Sequence, residues 1–311
     1  MSENQAPAET HVRFAGLDWA LSIAMALTWG SSFILIDIAI SSFHIAVVPL
    51  GRTAFGALAL VILPSARQRI ERSDMPILAI LGATWMALPF LLYPLAEQTV
   101  SSSIAGMMNG ALPIVVAVVT AIWTWKMPSN RRILAIAVGF VGIVMIAVPS
   151  IESGEAASPH GIGFLLLALL SYAVSTNLAR PLQAKYNPAS LMLHVEIVGC
   201  VLSFPYGIYG ISQSTFSWSS LVALVALGGL GTGYAFTLFS VLLKRTGIAR
   251  SMIPTYFTPV VGTVLGVGFN NEPLVWLSVV GMGVVVIAAW LTSLPDHAQT
   301  TTSATVNEPR P

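Results

Sequence analysis

Ten apolar runs separated by short polar connections set the plan of this chain: 17–40, 45–64, 77–96, 101–124, 133–149, 161–179, 188–211, 219–243, 247–269 and 274–293. Each has room for most of the roughly 20 apolar residues that a membrane-crossing helix needs. The pattern predicts an all-α integral membrane protein with ten transmembrane helices. Polar residues 1–16 read as one tail, and 294–311, rich in Thr, Ser and Pro, as a second, disordered one. Ala24-Met25-Ala26 resembles a signal cleavage site, but the run that starts at Leu17 continues well past it. The first run is therefore expected to stay on as a membrane helix.

Composition agrees. Of 311 residues, 55% are hydrophobic and 9% charged, with a mean hydropathy of +0.80. A soluble domain carries about 25% charged residues, so this surface is built to face lipid. The net charge of +1 gives no basis for binding nucleic acid. Cys200, the single cysteine, can form no internal disulfide and reads as a small packing residue.

The basic residues orient the runs. With a cytoplasmic N-terminus, the cytoplasmic segments hold Arg13, Arg67, Arg69, Arg72, Lys126, Arg131 and Arg132 from the first half. They also hold Arg180, Lys185, Lys244, Arg245, Arg250 and Arg310. The external loops hold none, and carry Glu97, Glu152, Glu155 and Glu272 instead. Arg52 alone lies deep inside a run, Arg250 being in the first turn of its own. Both termini are then cytoplasmic, and the membrane is the plasma (inner) membrane.

The halves repeat. "TVSSSIAGMMNGALPIVV" from Thr99 aligns with "TGIARSMIPTYFTPVVGT" from Thr246 at a shift of about 146 residues, which puts Pro113 on Pro259, Asn109 on Thr255 and Lys126 on Glu272. "WGSSF" from Trp29 similarly matches "YAVST" from Tyr172. The expected units are 17–149 and 161–293, joined by an external linker at 150–160. Five spans per unit turn the second upside down relative to the first, an arrangement common in secondary transporters.

These features resemble the drug/metabolite transporter superfamily, in particular its ten-helix EamA-type exporters. The carrying residues are "WGSSF" in the first run, Pro49 and Arg52 in "PLGRTAFGALAL", the helix through Pro113 with "GIVMI" after it, Pro259, "NEPL" at 271–274, and "GVVVI". The resemblance covers 14–293 and implies export of small metabolites, amino acids or related compounds among them, by alternating access. Such relatives usually carry an acid after the proline helix of both halves. Glu272 fits that pattern and Lys126 departs from it.

No phosphate-binding G-x-x-x-x-G-K-[ST] loop, metal-ligand cluster or nucleophile–base pair stands out in the sequence, so no cofactor, metal or catalytic residue is expected. "GGLGTG" at 228–233 lies in an apolar run and reads as close helix packing. The candidate pathway rests on polar and aromatic residues within runs, which usually face a bundle interior or cavity. Met252, Thr255, Tyr256, Pro259 and Thr263 share one helical face, and Gly106, Asn109, Gly110, Pro113 and Ala117 share its counterpart. Pro259 frees the carbonyl of Thr255, and Pro113 that of Asn109. These prolines either kink helices that gate a pathway, or make plain kinks satisfied by a neighbour. Trp29 with Ser32, Tyr172 with Ser175, Trp85 and Tyr234 complete a set of aromatic walls with scattered hydroxyls.

Among charges, Arg52 and Glu196 lie within runs, and Asp37, near the outer end of its run, is the simpler partner for Arg52. They read as substrate or proton-coupling groups, or as a structural ion pair. The expected partners are a small-molecule substrate and the bilayer, with protons as a candidate coupling ion and a monomer or homodimer as the assembly. A sugar-phosphate or nucleotide-sugar carrier, a non-transporting sensor or scaffold, and a membrane-embedded enzyme are the rivals. The first should line its cavity with several basic residues. The last should show a dense polar cluster at one surface.

Overall fold

The structure, a computed structural model, describes residues 15–125, 127–152 and 157–293. Residues 1–14 of the first expected tail, the whole second tail, Lys126 and the centre of the linker lie outside the described residues, and Gly16 already belongs to the first helix. Every apolar run is helical. The first is α1 (Gly16–Gly30) with α2 (Ser32–Ile40), the second α3 (Val47–Val61), and the third α4 (Met75–Leu81) with α5 (Leu88–Glu97). The fourth is α6 (Ser102–Asn109) with α7 (Leu112–Thr124), and the fifth α8 (Asn130–Glu152). After the linker come α9 (Pro159–Leu178), the short α10 (Arg180–Lys185) and α11 (Pro188–Ser212). Then follow α12 (Trp218–Gly228), α13 (Ala235–Ser251), α14 (Ile253–Asn270) and α15 (Trp276–Ser293).

This is an all-helical membrane protein. Six helical stretches are long and apolar enough to cross a bilayer, and a seventh if α6 and α7, bent by 41°, count as one. The difference from ten has a local cause. Among the remaining runs α3 has 15 residues, about 22 Å. α14 begins only at Ile253, because α13 takes the start of the ninth run. It is long enough at 18 residues but carries Pro254, Thr255, Tyr256, Thr258, Pro259 and Asn270 among its apolar positions.

The packing pairs the two halves element by element. α3 packs on α11, α6 on α14 and α8 on α15, each helix meeting its own counterpart. The contact of α5 with α9 is matched by that of α13 with α1, and the contact of α1 with α14 by that of α9 with α7. α8 and α15 cross where neither carries a side chain. A Cβ added at Gly281 would lie 2.8 Å from the carbonyl oxygen of Gly142, and one at Gly142 would lie 3.0 Å from that of Gly281.

Two irregularities recur at equivalent places. Gly82–Ala87 joins α4 to α5 as a π-helical turn, and Gly229–Tyr234 joins α12 to α13 in the same way. Such single turns often mark functional sites in helices. Both are pinned by glycine contacts with the opposite half: Gly82 lies against Val198 of α11, and Gly233 against the carbonyl of Gly56 in α3. The "GGLGTG" stretch is thus close packing combined with a widened turn. Likewise α7 and α14 both end in a left-handed residue, Trp125 (φ 52°) and Asn271 (φ 51°).

The prolines explain the helix starts. Pro113 is in the first turn of α7 and Pro254 in the first turn of α14, where a missing N–H costs nothing. The fourth run therefore breaks beside Gly110, but the ninth breaks earlier in its repeat, at Met252. At the end of the bundle that carries α10, Lys185 bridges Glu71 (2.6 Å) and Asp74 (2.8 Å). Those carboxylates, Asp74 foremost, hold its ammonium above the usual lysine range.

Candidate functional site

A chamber opens between the halves. From α1 and α2 it takes Trp29, Ser32, Phe33 and Ile36, and from α3 Arg52. Trp85 of the first π-turn and Tyr93 of α5 face Asn109 and Leu112 at the break between α6 and α7. Tyr172 and Thr176 of α9, Phe236 and Phe239 of α13, and Met252 and Thr255 beside the start of α14 close the ring. Neither α8, α11 nor α15 contributes.

The walls are aromatic and interlocked. The Trp29 ring lies 5.5 Å from Phe236 and 5.6 Å from Phe239, and Trp85 meets Phe236 edge-on at 5.7 Å. Phe33 contacts Tyr93, which contacts Tyr172. Rings at these separations and tilts attract beyond simple burial, so the chamber keeps a defined shape.

Its polar groups fall into two kinds. The hydroxyls are occupied: Ser32 donates to the carbonyl of Thr28, Thr176 to that of Tyr172 and Thr255 to that of Met252. Asn109 is held from both sides, accepting from the Tyr93 hydroxyl at 2.7 Å and donating to Thr258 Oγ1 at 3.4 Å. The indole Nε1 of Trp29, by contrast, is buried with no hydrogen-bond acceptor. Arg52, 4% exposed, donates through Nε to Thr232 Oγ1 at 3.2 Å, and its Cζ sits 3.9 Å above the centre of the Phe90 ring. No carboxylate lies within ion-pair distance of Arg52 among the described residues.

Of the residues picked out in the sequence, Trp29, Ser32, Arg52, Trp85, Asn109, Tyr172 and Thr255 meet in this chamber. Several others do not. Ser175 is fully buried and bonds to Thr84 Oγ1 at 2.8 Å, so the chamber partner of Tyr172 is Thr176, four residues on and not three. The face of α14 divides. Met252 and Thr255 line the chamber, whereas Tyr256 donates to the carbonyl of Ala289 and Thr263 to Met282, both on α15. Tyr234 ends the second π-turn outside the lining. The carbonyl that Pro259 frees on Thr255 is taken by the Thr258 hydroxyl at 2.9 Å and is not offered to a pathway. Pro259 instead packs on Gly110, where a Cβ would lie 2.5 Å from its ring.

The charges also differ from expectation. Asp37 accepts from Asn270 Nδ2 at 2.8 Å and is not the partner of Arg52. Glu196 is fully buried, with neither oxygen hydrogen-bonded, and its carboxyl is wedged against Gly56 at the crossing of α3 and α11. Glu97 is no loop residue. It ends α5, is 7% exposed and likewise has no hydrogen-bond partner. Glu97, Asp37 and Glu272 border an open polar recess at the end of the bundle opposite α10. There Glu272 reaches from beyond α14 to the start of α6, accepting from the backbone N–H groups of Ser102 (3.0 Å) and Ser103 (2.8 Å) and from both hydroxyls.

Sequence reasoning missed Tyr93, Phe33, Phe236 and Phe239. Phe33 follows Trp29 by four residues and could have been found on the same helical face. Tyr93 and Phe236 lie beyond the π-turns, whose extra residue rotates the face that a regular period would assign.

Comparison with known proteins gives a consistent picture. The model of the EamA-like transporter family matches residues 18–148 and again 159–294. An uncharacterized transporter of Archaeoglobus fulgidus is 24% identical over 86% of this chain and 97% of its own. A probable terminal-alkyne amino-acid exporter of Streptantibioticus cattleyicolor is 25% identical over 85% of this chain and 88% of its own. The uncharacterized inner membrane transporter YedA of Escherichia coli is 25% identical over 87% and 89%. A solved crystal structure superposes with a TM-score of 0.62 at 16% identity, covering 88% of this chain and 96% of its own, which speaks for the fold alone.

Proposed function

Because this chain belongs to the EamA-like transporter family, we propose that the aromatic chamber is its substrate site, and that it exports a small metabolite by alternating access. The chain is a membrane transporter and not an enzyme. In the proposed topology all ten helical stretches cross the inner membrane, with both termini cytoplasmic and the recess around Glu272 external. The units are 17–149 and 161–293, joined by an external linker and inverted relative to each other. The shorter helices α3 and α15 are met by local bilayer thinning, at modest cost.

One observation carries the reading: the chamber is built by mated helices of both halves, and the two halves are tied together on the Glu272 side. Glu272 ties α6 there, and Gly106 crosses Gly262 so closely that an added Cβ would lie 3.2 Å from the opposite Cα. Rocking one half against the other separates that contact and opens the chamber outward. Carboxylates related to amino acids are the leading cargo, with the name of the Streptantibioticus relative, a probable terminal-alkyne amino-acid exporter, in support. A sugar-phosphate carrier is less well supported, because Arg52 is the one basic residue in the lining among the described residues. Glu97 and Glu196, buried without partners on either side of the chamber, are the candidate proton carriers if flux is coupled.

The test is flux in proteoliposomes with Trp85→Ala and Asn109→Ala, each checked for monodispersity after purification. Both variants should lose most of the flux of any cargo that the native protein carries. Native flux in both would remove the chamber from the pathway.

A further inference from the structure

Two groups of the chamber wall, the terminal nitrogens of Arg52 and the buried indole N–H of Trp29, are donors without an acceptor among the described residues. We infer that it selects an organic anion: a compound with one carboxylate and an apolar, ring-sized body, in preference to a cation or a zwitterion. The inference rests on the chamber being the substrate site.

Three observations lead there. The first is Arg52. Its Nε is fixed by Thr232 and its face by Phe90, so the guanidinium is held in one orientation at the chamber wall. Among the described residues its terminal nitrogens make no hydrogen bond. Arginine stays protonated in proteins, and its planar fork matches a carboxylate with two parallel bonds. Neither Glu97 nor Glu196 lines the chamber or is in ion-pair contact with Arg52 among the described residues, which leaves its terminal N–H groups free for a ligand.

The second is Trp29. A buried indole N–H without an acceptor is costly, and this one belongs to a chamber-lining ring. An acceptor atom on the ligand would satisfy it. The third is what the walls lack. Among the described residues no Asp or Glu lines the chamber; its Ser and Thr hydroxyls, which donate to backbone carbonyls, leave only neutral lone pairs, and the Asn109 oxygen already accepts from Tyr93. An ammonium group entering would shed its water, meet the field of Arg52 and find no carboxylate to replace that water. The aromatic walls suit the apolar body.

The experiment compares four probes of one shape on the purified full-length protein by calorimetry: 3-phenylpropionate, 3-phenylpropionamide, 3-phenylpropylamine and phenylalanine. 3-Phenylpropionate should bind at least about tenfold more tightly than its amide, the amine or phenylalanine. Arg52→Gln should abolish that preference, and Arg52→Lys should keep part of it. Since Arg52 is buried and its replacement can unfold the protein, Trp29→Phe serves as the second variant. It keeps the ring, removes the N–H, and should weaken the acid several-fold with little effect on the amide.

Equal or tighter binding of the amide, the amine or phenylalanine overturns the inference, as does an acid preference that survives in both Arg52→Gln and Trp29→Phe. Absence of binding by all four overturns it too. Trp85→Ala separates this failure from failure of the site itself. If a competing probe binds and Trp85→Ala abolishes its binding, the chamber stands and only the charge selection falls. If Trp85→Ala leaves that binding unchanged, the chamber is not the site.

Discussion

Glu272 and Ser102 belong to opposite halves of the chain, yet the carboxylate of one caps the helix that the other begins. Glu272 Oε1 accepts from the Ser102 N–H at 3.0 Å and from its hydroxyl at 2.6 Å, while Oε2 takes the N–H of Ser103. A carboxylate at a helix N-terminus meets unpaired N–H groups and the positive end of the helix dipole. The left-handed backbone at Asn271 turns the chain so that Glu272 can reach α6. Asn270, on the same turn, holds Asp37 of α2.

Glu272→Gln should loosen this joint, because the amide keeps the size and loses the charge. We expect a stability loss of about 1–2 kcal/mol. External access to the chamber should also rise. The check is a membrane-impermeant maleimide applied to intact cells, with Ile36→Cys as reporter in a Cys200→Ala background. Unchanged labelling would show that the joint does not hold the chamber shut.

Gly56 and Glu196 form a second tight pair. A Cβ on Gly56 would lie 2.0 Å from Glu196 Oε2, so Gly56→Ala forces the carboxyl out of its place between α3 and α11. The single variant should lose roughly 1–3 kcal/mol. Glu196→Ala in the same chain should recover much of that loss, since the clash disappears. Thermal unfolding of the four members of this double-mutant cycle reads the coupling directly, and additive losses would contradict the packing.

The two tyrosines that the sequence treats as equivalent pathway residues should behave differently. Tyr256→Phe removes a bond to the α15 backbone and should cost about 1 kcal/mol of stability, with substrate affinity unchanged. Tyr172→Ala removes part of the chamber wall and should weaken cargo binding about tenfold or more. Affinity and melting temperature measured on both variants decide the matter. The assignment fails if Tyr256→Phe is the variant that loses affinity.

Asn109 is positioned by Tyr93 and Thr258, one from each half. Tyr93→Phe leaves the ring packing and frees the amide to rotate. Flux should fall several-fold in Tyr93→Phe while the melting temperature moves only a few degrees, because a single hydrogen bond contributes about 1 kcal/mol. Flux measured beside a thermal scan of the same preparation is the readout.

Much of this was legible in the sequence for simple reasons. The apolar runs are set by the bilayer, and the repeat survives in the matched prolines. Seven of the chamber residues were visible because Trp, Tyr, Asn, Thr and Arg are conspicuous in an apolar helix. Their neighbours Phe33, Phe236 and Phe239 were not, because a phenylalanine in lipid needs no explanation.

The sequence by itself determined the membrane class, the helical runs, the duplication and the presence of a polar, aromatic interior. It did so because hydropathy and charge act locally, run by run. Only the tertiary structure decided which face of each helix looks inward. The two π-turns rotate α5 and α13 by a residue, and the break before α14 lies earlier in its repeat than the break before α7. Partner choice was equally hidden. Asp37 meets Asn270, Arg52 meets Thr232 and Phe90, and Glu272 meets Ser102, each pair brought together from opposite halves or across separate helices of the bundle. A short-range pattern cannot encode such contacts, because they depend on how ten helical stretches are stacked and not on the composition of any one of them.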